Sequence, residues 1–475
     1  MHSTFQSTSI ETVQAHPGFR TDTLTTMLVL ILSMIFLSAC GVRDDETGAS
    51  AGDSSLPPIT GDSTSDYRQP PVSCQIDDMK TWVLQGMLDY YLFADQVDEN
   101  TPLNNYDNIE TLITDLRVSP NDTFSYITDE TSHSDRFNEG ETVGFGWLLS
   151  RTQANEYYFK LLEAGSPLAL AGVQRGDRLL EVNSLPAVDF FSQDSVAREA
   201  ILSSEDNAAS ATFTIQTPLG VSRTFTTTKA RYTLDTVLDT RVIEQNNVQI
   251  GYLHFYQFLD TSTEELATAF ATLASQNVSE LVLDMRYNFG GRVMVANELA
   301  SYLVGRGKTD DAFAVYQPNE KYRENSATIN FVNQSNALNL SRVVILQTDD
   351  TCSAAELVTN GLRPFMDVIT VGGTSCGKPY ATIPNTACSK VMNALELEAV
   401  NASGSGGYYD GIAADCTVTE DIGQTLGDRD ENLLSAALSY IDNGTCPAAS
   451  TTRSISSWQA LPEVLKPAWF GVSTF

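Results

Sequence analysis

The chain has 475 residues, enough for two or three domains and a large core, and 42% of them are apolar, as in an ordinary globular protein. It carries 28 Lys and Arg against 60 Asp and Glu, a formal charge of −32. A field of that sign repels phosphate backbones and anionic lipid, which argues against nucleic acid as a partner.

The elements begin with "MLVLILSMIFLSA", Met27 to Ala39, 13 apolar or small residues. A membrane-spanning helix needs about 20, so a signal-peptide core fits residues 1–40 better. The "LSAC" at its end resembles a bacterial lipobox, which implies that Cys40 is lipidated and becomes the first mature residue. That implies a protein of the bacterial cell envelope, anchored by lipid to the outer membrane and facing the periplasm; an ordinary signal peptide or short anchor is the alternative. Export implies an oxidising compartment, and six cysteines remain for disulfides: Cys74, Cys352, Cys376, Cys388, Cys416 and Cys446. Their pairing is not readable from their number, and no spacing among them suggests a metal site.

Residues 41–72, rich in Gly, Ser, Thr, Asp and Pro, cannot bury enough apolar surface to order themselves and read as a tether. In "MKTWVLQGMLDYYLF", Trp82, Leu84, Met87, Leu88, Tyr91 and Leu92 recur at helical spacing, and "NIETLITDLR" repeats the pattern. Residues 73–135 therefore read as a small helical domain.

The texture then changes. "ETVGFGWLLSR" and "EYYFKLLEA" predict strands, and "SPLALAGVQRGDRLLEVNSLPAVDF" predicts a short helix, a Gly-Asp turn and a strand. The order over residues 136–230 resembles a PDZ domain. In that family the main chain of the loop, here Gly144, Phe145 and Gly146, captures a peptide carboxylate while the peptide adds as a strand.

From about Arg231 to Cys446, strand and helix alternate: "VQIGYLHFYQF", "STEELATAFATLASQ", "VSELVLDMRY", "VMVANELASYLVG", "SRVVILQ", a helix after Ser353, and "DVITVGG". This predicts an α/β core with a largely parallel sheet, and a multidomain α/β chain overall. Sites in such sheets gather where strands end and helices begin. The Gly-rich "NASGSGGYYDGIAADC" reads equally as a lid or substrate-lining loop or as a plain surface connection. Residues 447–475 form a tail whose "LPEVLKPAWFGVSTF" is apolar enough to pack on the body or bind a partner.

Chemistry centres on three strand ends. Ser353, with Glu356 three residues on, is by itself a capping box. It also stands between a buried strand and a helix N-terminus, where unpaired N–H groups stabilise developing negative charge. "LVLDMRYNFGGR" ends another strand in Gly290 and Gly291, whose bare backbone can approach a carbonyl. A serine needs a base, and histidine is scarce: His254 lies inside "YLHFYQF", where a sheet histidine is the simpler role. Lys378, in "GGTSCGKPYA", is the other candidate. As a base it must be neutral, with its pKa brought from about 10.4 towards 7 or 8 by burial.

The run of a helical region, a PDZ-like segment, "GYLHFYQF", "LVLDMRYNFGG", "TCSAAE" and "TSCGKP" is similar to the carboxyl-terminal processing (tail-specific) serine proteases, relatives of the tricorn core. The resemblance implies Ser353 as nucleophile, Lys378 as general base, and an oxyanion hole made by the N–H groups of Gly290 and Ala354. Where that family has Pro, this chain has Phe289; where it has a lysine-orienting Gln, this chain has Thr382. Either the Thr382 hydroxyl takes that role or no third member is needed. If the dyad touches, Cys352 and Cys376 are neighbours, and a disulfide between them would brace the site. The expected function is an exported serine endopeptidase, needing no metal or cofactor, that cleaves proteins near their C-termini after the PDZ segment binds them. A non-catalytic peptide-binding scaffold or an apolar-ligand binder on the same fold is the alternative.

Overall fold

The computed structural model describes residues 69–193, 201–202 and 209–447, together with the backbone of 458–459 and 473–474. Cys40, the signal-peptide segment and most of the tether lie outside these residues. Among the described residues no helix is long and apolar enough to cross a membrane.

The first helix, Ile76–Asp89, opens on Asp77 and Asp78, which suit the positive end of its dipole. Its buried face is Met79, Trp82, Val83, Met87 and their neighbours. The second, Ile109–Leu116, starts where the Asn108 side chain accepts from the Thr111 N–H at 2.7 Å. Ile109, Leu112, Ile113 and Leu116 form its apolar stripe. These helices do not close a core by themselves. They share one with Tyr380, Met392, Ala394 and Leu395, some 300 residues on in the chain. The strand Tyr126–Asp129 pairs antiparallel with Lys390–Asn393, and the Cys74–Cys388 disulfide ties the same two regions. The N-terminal segment is thus one wall of the body, against the residues that follow Lys378.

Residues 147–228 build an antiparallel sheet in the spatial order Trp147–Thr152, Tyr157–Leu162, Arg178–Val182, Ser210–Gln216, Ser222–Thr228. The strands alternate as a half-buried sheet requires: in Ser210–Gln216 the residues Ala211, Phe213 and Ile215 point inward. Phe145, Phe159, Phe190 and Phe213 lead a separate core. The outward face carries threonine pairs, Thr212 with Thr226 and Thr214 with Thr224.

The third region is a six-stranded sheet. Val237–Gln245 pairs antiparallel with Val248–Phe255, and Glu280–Asp284, Arg342–Gln347, Asp367–Gly372 and Cys416–Thr417 follow in parallel. Its central strands are apolar on both faces because helices cover both, so they read as continuous runs such as "LVLD" and "VVIL". Helices Ser262–Ser275, Val293–Val304 and Ala354–Leu362 pack into one core cluster, and Asn432–Asn443 covers the other face. Each fully buried Leu, Ile or Phe in these clusters contributes roughly 1.5–3 kcal/mol. The consequence for function is placement: three strand ends point their loops to one place.

The 147–228 sheet is clamped onto this core. Arg175 donates to the Tyr287 hydroxyl at 2.7 Å and pairs with Glu420 at 2.9 Å, while Lys160 pairs with Asp350. Leu161 packs with Tyr256, Tyr287, Phe289 and Cys352. The phenylalanine at 289 therefore fills an apolar joint between the 147–228 sheet and the turn beside Ser353.

Candidate active site

The turn after Glu280–Asp284 is set by a buried ion cluster. Arg286, with no exposed surface, donates to Asp284 from Nε at 2.9 Å and from Nη2 at 2.6 Å, and pairs through Nη1 with Glu431 at 2.9 Å. Burial alone would raise the Asp284 pKa; the guanidinium overrides it and holds the carboxyl down at about 2. Removing one partner of such a cluster leaves an uncompensated buried charge, so the turn is pinned. Next come Tyr287 at φ 63° and the two glycines. Gly291, at φ 136°, could not carry a side chain, since a Cβ there would lie 2.0 Å from the Phe258 carbonyl oxygen. Asn288 holds the loop on both sides: its Nδ2 donates to the Phe255 carbonyl and its main-chain oxygen accepts from Cys352 N–H, both at 2.9 Å. Its Oδ1 accepts from the Gly290 N–H at 2.9 Å. One of the two expected oxyanion donors is therefore engaged inside the loop in this state.

The second strand end, after Arg342–Gln347, makes a tight turn in which the Thr351 hydroxyl donates to the Met285 carbonyl at 2.9 Å. Ser353 follows at φ 59°, ψ −112°, a conformation an L-residue adopts only under constraint. A strained strand-to-helix turn of this kind can point a hydroxyl towards an incoming carbonyl. Its Oγ is buried and has no hydrogen-bond partner among the described residues. Ala354 is the first helical residue, and such an N–H has no partner within the helix. All nine residues of Ala354–Leu362 are buried, so the helix cannot drift.

Glu356 is the hub the sequence did not announce. Its Oε2 accepts from the N–H groups of Ser353 at 2.9 Å and Lys378 at 2.8 Å. Its Oε1 accepts from Gly377 N–H at 2.8 Å and Ser375 hydroxyl at 2.5 Å. One carboxylate thus joins the Ser353 turn to the Lys378 turn. Burial raises its pKa, and these hydrogen bonds act in the opposite sense. The expected disulfide forms alongside: Cys352 and Cys376 are bonded, with Cα atoms 5.1 Å apart, and the Cys376 N–H donates to Thr351 carbonyl at 3.0 Å. The remaining cysteines pair as Cys416–Cys446 and the Cys74–Cys388 bond described above. The two sulfurs beside Glu356 are spent in the disulfide and its oxygens are filled by donors, so that cluster offers a metal no free ligand.

Lys378 is 1% exposed. Burial lowers its pKa from the ordinary 10.5 to about 7, against smaller opposing effects of Asp122 and Glu356. Its Nζ lies 5.1 Å from the centre of the Phe124 ring. Asp122 and Phe124 come from the N-terminal segment, where Asp122 accepts from the Tyr91 hydroxyl at 2.8 Å. No spacing in the sequence links these residues to the lysine. Thr382, fully buried, ends the strand Tyr380–Thr382 four residues after it.

The Gly-rich segment wraps this turn: a Cβ on Gly377 would meet Tyr409 carbonyl at 2.2 Å, and one on Gly411 would meet Ser375 carbonyl at the same distance. Tyr409 also stacks on Tyr380, with ring centres 5.8 Å apart. That segment lines the lysine loop. His254 is buried in the sheet opposite Asp284, its pKa lowered chiefly by burial. Gly144, Phe145 and Gly146 lie at the start of the 147–228 sheet. The Phe145 side chain is core, and Gly146, at φ 77°, has no room for a Cβ, which would meet Ser166 at 2.0 Å.

The sequence matches the model of peptidase family S41 over residues 249–418 and that of the peptidase S41 N-terminal domain over 78–126. A carboxyl-terminal-processing protease of Synechocystis sp. is 22% identical over 280 residues, 58% of this chain and 63% of the relative. The chloroplastic carboxyl-terminal-processing peptidase 1 of Arabidopsis thaliana is 22% identical over 299 residues, covering 58% and 56% of the two chains. The chain thus matches somewhat under two thirds of the length of these relatives. A crystal structure of a protein assigned as an S41 protease from Bacteroides fragilis NCTC 9343 shares the fold, with a TM-score of 0.60 at 23% identity, over 80% of this chain and 100% of the other. Both S41 segments are matched in chain order, and the chain is similar to peptidase family S41 over residues 78–126 and 249–418.

Proposed function

We propose that the protein is a serine endopeptidase that cleaves polypeptides near their C-termini through a Ser353/Lys378 dyad. The observation that carries this reading is Lys378: a lysine with a pKa of about 7 is half neutral at pH 7 and able to accept a proton. Ser353 Oγ attacks the scissile carbonyl and Lys378 takes its proton. The oxyanion of the tetrahedral intermediate is stabilised by the Ala354 N–H and, once released from Asn288, by that of Gly290. Lys378 then gives the proton to the leaving amine, and water hydrolyses the acyl-enzyme. Thr382 orients the lysine.

The 147–228 sheet acts as a PDZ domain, binding free apolar C-termini at Gly144, Phe145 and Gly146 and adding them as a strand to Trp147–Thr152. Lipid on Cys40 holds the enzyme on the outer membrane facing the periplasm. Six paired cysteines suit that oxidising compartment. A serine-directed acylating probe tests the chemistry. It labels the wild-type protein at Ser353 and leaves Ser353→Ala unlabelled; equal labelling of both refutes the dyad.

A further inference from the structure

Two pieces of the tail return to the body, and both take positions that a bound polypeptide would take. Trp458–Gln459 pairs antiparallel with Thr152 and Arg151, on the free edge of the strand that follows the Gly144–Gly146 loop. Ser473–Thr474 pairs in parallel with Gly291–Arg292 on one side and with Thr382 on the other. The first of these walls begins one residue after Gly290; the second ends four residues after Lys378. Strands stand about 4.8 Å apart, so the two walls are separated by the width of one extended chain. A slot of that kind binds through main-chain hydrogen bonds and tolerates many sequences.

We infer that the tail is a tethered competitor that sets Trp458–Gln459 on the sheet edge and Ser473–Thr474 in the active-site slot, and holds the enzyme latent until a substrate displaces it. This rests on the Ser353/Lys378 reading for the site it blocks. The Gly290 N–H, given to Asn288 rather than to a carbonyl, fits a slot filled without acyl transfer. The chemistry of the segment fits as well: "WQALPEVLKPAWFGVST" is rich in the apolar residues expected of a ligand for these grooves, and Pro462 and Pro467 reduce the chain entropy lost on docking. Tethering supplies an effective concentration in the millimolar range, so weak pairing at each site suffices to compete.

The test is made in the full chain. The double substitution Ser473→Pro/Thr474→Pro removes both N–H groups from a strand paired on two sides, which proline does not tolerate. With a peptide substrate bearing a free apolar C-terminus, the variant is expected to show a lower KM and an unchanged kcat. If the tail fills the slot nine-tenths of the time, kcat/KM rises about tenfold. A synthetic peptide of residues 456–475 then inhibits that variant competitively. An unchanged KM together with no inhibition by millimolar peptide overturns the inference, as does Ser353-dependent cutting within the tail of the intact protein, which would make the tail a substrate. Anisotropy of the labelled peptide on Ser353→Ala/Ser473→Pro/Thr474→Pro needs no catalysis. Peptide binding without hydrolysis by any form sinks the dyad and leaves the tail; hydrolysis without peptide binding sinks the tail and leaves the dyad.

Discussion

Replacing Lys378 by Met separates what the lysine does for chemistry from what it costs the fold. Its pKa is about 7 in the folded protein against 10.5 when exposed. At pH 7 an ordinary lysine would be neutral in roughly 3 molecules per 10⁴, and the buried one in about half, a gain of about 10³ in competent enzyme. If Lys378 is the base, the wild-type rate should rise with pH along one limb, half-maximal near pH 7. The same shift is a stability term. Between pH 7 and 10.5 the unfolded chain binds a proton the folded one does not, so the wild-type gains stability as pH rises through that window and pays the full penalty below it. Methionine, similar in length and uncharged, has no such term. The stability of Lys378→Met relative to wild type should fall by roughly 2.5 kcal/mol between pH 6 and pH 9, because groups common to both cancel. Urea titrations at the two pH values measure it, and peptide hydrolysis should drop about 10²- to 10⁴-fold. Lys378→Arg should be nearly as inactive, since a guanidinium does not deprotonate here. A stability difference independent of pH, or an active Arg variant, refutes the neutral buried base.

Glu356→Gln exchanges acceptors for an amide N–H₂, leaving at least two of the four donors on that carboxylate unmet. It should cost about 2–6 kcal/mol by urea titration and lower kcat more than it raises KM. Cys376→Ala opens the bond that spans 24 residues and should cost about 3 kcal/mol, with wild-type activity similarly sensitive to a strong reductant. Cys40→Ser should release the processed protein from membranes in fractionation, because the polar tether offers no anchor of its own.

The parallel strands were legible because burial on both faces leaves unbroken apolar runs, and the turns at Ser353 and Gly290–Gly291 were legible because caps and paired glycines are local. Lys378 stands out only as the candidate left where histidine is scarce, at a strand end among small residues, and the family resemblance then implies it as the base. What stayed hidden is what depends on distant contacts. Residues 73–135 read as a closed helical domain because periodicity reports which face is apolar, not what covers it; the cover is Tyr380, Met392 and Leu395. Glu356 looked like a helix cap, since nothing in "SAAE" says that its second oxygen serves Ser375 and Gly377.

The cover over the helices and the burial of the lysine are one construction. A lysine at a strand end is open to water unless another part of the chain closes over it, and an open lysine keeps its proton. Phe124 closes over Lys378 from the segment that the Cys74–Cys388 bond and the Tyr126–Asp129 pairing fix against residues 385–395. The N-terminal helices, remote from Ser353 in sequence, thus keep water away from Lys378, and the proposed dyad depends on packing that no single motif encodes. Loosening that wall, without touching Ser353 or Lys378, raises the lysine pKa and moves the activity limb to higher pH. The candidate site is therefore as much a property of the fold's closure as of Ser353 and Lys378 themselves.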